Sequence, residues 1–96
     1  MKLRWLRSGS VSLRRHVKFI AAENPTAAVR VRRKIRTSVL RLLDFPDSGR
    51  VGQVPGTREL IVVELPYIVL YRVSGDVVEI LRVFHTSMDF AGGPIQ

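Results

Sequence analysis

The sequence predicts a small α+β domain: an N-terminal strand, a two-helix antiparallel hairpin and a three-stranded antiparallel meander. Three observations lead there. β-Branched and aromatic residues crowd the run "RELIVVELPYIVLYRVSGDVVEILRVFH" from Arg58 to His85, as they do in strands. Two apolar stripes at helical spacing lie on either side of "ENPTAA". The opening "MKLRWLR" alternates, with Leu3 and Trp5 on one side and Lys2, Arg4 and Leu6 on the other. At 96 residues the chain is expected to form one domain, spanning 1–96, with a real but thin core.

The first strand reads as a short edge guarded by charge. "SGS" breaks it, and Ser8 or Ser10 is placed to cap a helix. Leu13, Val17 and Ile20 then recur at i, i+4 and i+7, one apolar stripe. Asn24 is suited to end that helix in a left-handed conformation, and Pro25 to open the next. The second helix is expected from about Thr26 to Leu43. Ala28, Val31, Ile35, Val39 and Leu42 share its apolar face, with Arg30, Arg33, Lys34, Thr37 and Arg41 roughly opposite. Phe19, Val29 and Leu40 fall outside the stripes; exposed apolar side chains of this kind are common, and they also suit a partner helix.

"DFPDSGRVGQVPGT" reads as a loop of turns. Extended segments follow near 58–65, 66–74 and 77–85, the last two joined by a tight turn at Gly75-Asp76. That turn sets Arg72 opposite Glu79. Simple alternation then puts Tyr67, Val69, Tyr71, Val73, Val78, Ile80, Arg82 and Phe84 on one face. Ile68, Leu70, Arg72, Glu79, Leu81, Val83 and His85 fall on the other. Two helices can cover one face only, which leaves the second to the chain's tail, a partner or a target.

Charge divides the chain. Residues 1–43 carry twelve Lys or Arg against one acid, Glu23, a net of +11, while residues 44–96 net −3. A basic half of this kind fits either a solvated helix surface or a polyanionic partner, nucleic acid or acidic protein. Cysteine is absent, which fits a reducing cytoplasm and excludes disulfides and thiolate metal sites. With His16 and His85 as the only histidines, no metal site or cofactor is expected. No apolar run is long enough to span a membrane, and the start does not read as a signal peptide. Scattered acids give no two-carboxylate site. The groups left on the sheet, Arg58, Arg72, Arg82 and His85, permit metal-free RNA cleavage, with His as acid or base and Arg as phosphate clamp. They equally permit structural roles, such as an Arg72–Glu79 pair.

The ordered set "ENPTAA", "FPDSGRVGQVPGTREL", "YIVLYRV" and "VVEILRVFHTSMDF" resembles the RelE/ParE superfamily, the toxins of bacterial type II toxin–antitoxin systems, from about Arg7 to Phe90. The resemblance implies one of two activities. RelE-like members are ribosome-dependent mRNA endonucleases; ParE-like members act on DNA gyrase without chemistry of their own. Ile68 stands where RelE-like ribonucleases commonly carry an arginine, and Thr86 where a tyrosine often follows. Only His85 matches a catalytic position, so the ParE branch is favoured. If the chain were a ribonuclease, Arg58, Arg82 and His85 would be its catalytic candidates. The resemblance also implies an acidic antitoxin wrapped on the helical hairpin in a hetero-oligomer, for which Phe19, Val29, Arg33, Arg36 and Leu40 are the candidate contacts. Met88, Asp89 and Phe90 are the candidate contacts to gyrase. The alternatives are a RelE-like nuclease acting at the ribosome and a non-toxic basic binding module.

Overall fold

The structure, a computed structural model, describes residues 1–87. Strand β1 (Lys2–Trp5) leads into helix α1 (Arg7–Ala21) and helix α2 (Pro25–Leu40), which a 3₁₀ turn (Arg41–Leu43) extends. Strands β2 (Arg50–Val51), β3 (Arg58–Ile61), β4 (Tyr67–Ser74) and β5 (Val77–His85) complete the sheet, in the order β1-β5-β4-β3-β2. β1 runs parallel to β5, Lys2 opposite Val77 and Trp5 opposite Ile80. The other pairs are antiparallel. The expected α+β arrangement is therefore present, with β2 as an addition inside the turn-rich loop. No described helix is long and apolar enough to cross a membrane.

Both helices lie on one face of the sheet. Val31, Ile35, Val39 and Leu42 from the second helix region meet Leu13 of α1 and the sheet residues Val69, Tyr71, Val78, Ile80 and Val83 in one apolar core. Gly9 sets how closely α1 approaches. A Cβ there would lie 2.5 Å from the Ile80 carbonyl oxygen.

The ends of the helices differ from expectation. Neither Ser8 nor Ser10 caps α1, whose N-cap is Leu6 without a side-chain bond. Instead three polar residues one turn apart face the exposed edge of β5 beyond its pairing with β1. Ser8 Oγ donates to the Leu81 carbonyl at 2.6 Å, and Ser12 Oγ accepts from Val83 N at 2.9 Å. His16 Nε2 lies 3.1 Å from the Val83 carbonyl. These side chains supply hydrogen bonds that a neighbouring strand would otherwise give, so the edge is not left open. Asn24 is not left-handed, its φ being −148°; it caps α2, accepting from Ala27 N at 3.0 Å, with Pro25 in the first turn.

The largest correction is in β5. Its register against β4 slips between Leu70 and Tyr71, so that Tyr71 faces Ile80 while Leu70 faces Arg82. Leu81 is the extra residue. A one-residue slip exchanges the faces of everything beyond it. Val83 joins the helix-side core with Val69, and His85 pairs with Tyr67 on that side. Arg82 and Phe84 move to the far face with Leu70 and Ile68, the reverse of simple alternation. On the far face Arg72 does pair with Glu79, at 2.6 Å, and Arg50 pairs with Glu59 at 2.9 Å. Ile68, Leu70 and Phe84 there are buried as well.

Candidate functional site

Helix α2 turns one side inward and another outward. On the outer side Val29, Arg33, Arg36 and Leu40 follow one another at turns of the helix and line a depression of about 200 Å³ with Arg32 and Thr37. Val29 is 56% exposed and Leu40 54%. Four of the five hairpin residues singled out in the sequence are thus brought together. Phe19, 83% exposed on α1, is not among the lining residues.

A larger cavity lies beside it, toward α1 and β1, and shares Arg32 and Arg36 with it. It measures about 580 Å³ and is lined by Trp5, Leu13 and Val17 below and by Ser10, Arg14, Lys18, Arg32 and Arg36. Arg14 and Lys18 are one turn apart on α1, and Arg32 and Arg36 one turn apart on α2. Among the described residues none of these four cations has an acidic partner; the ion pairs formed elsewhere by Arg4, Lys34, Arg50, Arg58 and Arg72 do not involve them. Sequence reasoning counted these charges but missed their convergence. The signal was the pair of i, i+4 basic couples on adjacent antiparallel helices.

The three ribonuclease candidates are not brought together. Arg58 donates to the Gly49 carbonyl at 2.8 Å and sits 3.8 Å from an Asp47 carboxylate oxygen, which ties the β2 loop to the sheet. Arg82 lies on the far face, its guanidinium 5.5 Å from the centre of the Phe84 ring. His85 is on the helix side, paired with Tyr67, while Arg58 is paired with Tyr71. Four residues along a strand separate those registers, about 13 Å. His85 Nδ1 accepts from Ser87 N at 3.0 Å and lies 2.7 Å from Ser87 Oγ, so that nitrogen is engaged locally.

His85 has an aromatic neighbour that the sequence did not suggest. The Tyr67 ring stands edge-on between His85 and His16, 5.2 Å from each. Burial holds the His16 pKa below its ordinary value of 6.5; the Val83 carbonyl opposes that shift and His85 adds to it. Burial likewise raises the Tyr67 hydroxyl. Among the described residues no group of His, Asp and Glu is arranged to hold a metal ion. The three candidate target contacts, Met88, Asp89 and Phe90, lie outside the described residues.

Comparison with known proteins adds the following. A family profile described as the ParE toxin of the type II toxin–antitoxin system parDE matches residues 3–90. The toxin-like protein Y4kP of Sinorhizobium fredii is 48% identical over 67 residues, 70% of this chain and 69% of that one. Toxin RelE2 of Caulobacter vibrioides is 33% identical over 69 residues, 72% of this chain and 76% of that one. A chain of the chromosomal ParDE toxin–antitoxin system from P. aeruginosa superposes with a TM-score of 0.80 at 27% identity, covering 88% of this chain and 95% of its own.

Proposed function

The chain belongs to the ParE toxin family of type II toxin–antitoxin systems, and from that premise we propose that it acts in the cytoplasm by binding DNA gyrase rather than by cutting RNA. The observation that carries this reading is the dispersal of Arg58, Arg82 and His85. Acid–base cleavage needs the proton-transferring group and the phosphate clamp within hydrogen-bond reach of one reacting unit. Here one candidate ties down a loop, one lies on the opposite face, and one is held by Ser87. A protein that poisons by binding needs only an accessible surface.

An antitoxin is the toxin's partner in such a system. We place its contact on the outer side of α2, where Val29 and Leu40 flank Arg33 and Arg36, cations with no acidic partner among the described residues, an arrangement suited to an acidic amphipathic helix. The deciding experiment is induced expression with two readouts. Inhibited gyrase supercoiling with intact transcripts is the expected result. Transcripts cut during translation, with gyrase unaffected, would instead place the chain with ribosome-dependent nucleases.

A further inference from the structure

The cavity between α1, α2 and β1 is the largest of those described above and is not needed for the gyrase reading. We propose that it binds a nucleoside polyphosphate. Its volume of about 580 Å³ falls inside the range of small-molecule pockets, ~300–1,000 Å³. Its lining has two parts. Trp5, Leu13 and Val17 offer an apolar surface with an indole, suited to a flat heterocycle. Arg14, Lys18, Arg32 and Arg36 are exposed at the rim and unpaired among the described residues, suited to phosphoryl oxygens.

Charge density decides between ligand classes. An acidic peptide brings one negative charge per side chain, and a single nucleic-acid strand one per phosphate along its length. Four cations around one cavity match a ligand that concentrates its charge, and a polyphosphate does so, with on the order of one to two negative charges per phosphoryl group. The base would lie against Trp5 while the phosphates reach the rim. Binding would need no movement of the core, since Leu13 is already packed in it.

Trp5 is the only tryptophan of the chain, so its fluorescence reports on this cavity alone. The test is titration of the full-length protein with ATP, followed by tryptophan fluorescence and calorimetry. Saturable one-to-one binding with quenching of Trp5 is expected. Reversing two rim charges, Lys18→Glu with Arg32→Glu, should weaken it about tenfold or more. Reversing two exposed cations outside the cavity, Arg30→Glu with Arg41→Glu, changes net charge equally and should leave affinity nearly unchanged. Equal weakening by both double variants would reduce the effect to net charge and overturn the proposal. So would inorganic tripolyphosphate binding as tightly as ATP, which would show that no base is read. A poly-glutamate peptide that quenches Trp5 where ATP does not would assign the cavity to an acidic protein segment. Thermal melting of each variant controls for folding, and neither gyrase nor antitoxin enters the measurement.

Discussion

Leu40, Tyr71 and His16 show what single side chains contribute. Leu40 is half exposed and outside the core, so Leu40→Asp should leave the toxin folded. Burying a large apolar side chain stabilises by ~1.5–3 kcal/mol, so the variant should bind the cognate antitoxin about tenfold more weakly or worse by calorimetry. Unchanged affinity would move the partner off this face. Tyr71 is fully buried, and its hydroxyl donates to the Pro46 carbonyl at 2.7 Å while accepting from Gly49 N at 2.9 Å. Tyr71→Phe strands both groups and should cost about 1–3 kcal/mol in urea unfolding. His16 gives a pH dependence. Its pKa is lower in the folded state than in the unfolded chain, so the unfolded chain binds more protons in acid. The stability this provides is complete above the ordinary value of 6.5 and is lost as pH falls through the folded value. His85 across Tyr67 acts in the same direction. His16→Gln should flatten the fall in melting temperature between neutral and mildly acidic pH; an unaltered slope would show that other groups cause it.

At the scale of elements, the slip in β5 matters most. Deleting Leu81 would remove the extra residue yet leave Ile80 opposite Tyr71 and Arg82 opposite Leu70, each on its present face. The deletion should therefore keep cooperative unfolding, and Leu81→Ala, which keeps the bulge, should cost about 1 kcal/mol. Loss of cooperativity on deletion in circular dichroism melts would mean that the bulge itself is needed to seat the end of β5. This element also shows where sequence reading stops. The stripe of Ala28, Val31, Ile35, Val39 and Leu42 was legible because helical spacing is a local property. The Arg72–Glu79 pair was legible because a two-residue turn sets the register beside it. The bulge was not, because alternation carries no mark of an inserted residue. The one hint was Arg82, which simple pairing would have put on the same face as Ile80. Ser8, Ser12 and His16 recur at helical spacing, but that spacing does not reveal their purpose, which depends on which edge of the sheet α1 crosses.

For the whole molecule, the question is which surface kills. The antitoxin candidates on α2 could be gathered from sequence because they share one helix. The cavity around Trp5 could not, since it needs the docking of α1 on α2 and of both on β1. His85 is held by Ser87 and Tyr67, away from Arg58 and Arg82, so His85→Ala should still arrest growth on induction. Truncation after Ser87, which removes Met88, Asp89 and Phe90, should relieve the arrest, with soluble folded protein confirmed in both cases. A harmless His85→Ala beside a fully toxic truncation would reverse the functional reading.

The sheet order has a consequence for how a cell makes such a protein. β1 can find its place only beside β5, so Lys2 waits for Val77 to leave the ribosome. At ~5–20 residues per second that interval is on the order of ten seconds. During it α1 and α2 already exist as sequence, and a helical hairpin forms from local contacts far faster than that. The sheet that gives the molecule its fixed shape comes last. On the reading proposed above, the surface that accepts restraint emerges before the folded toxin does. The timetable of synthesis then gives the antitoxin the first opportunity to bind, and a cell making both chains is protected by the order of events as well as by affinity.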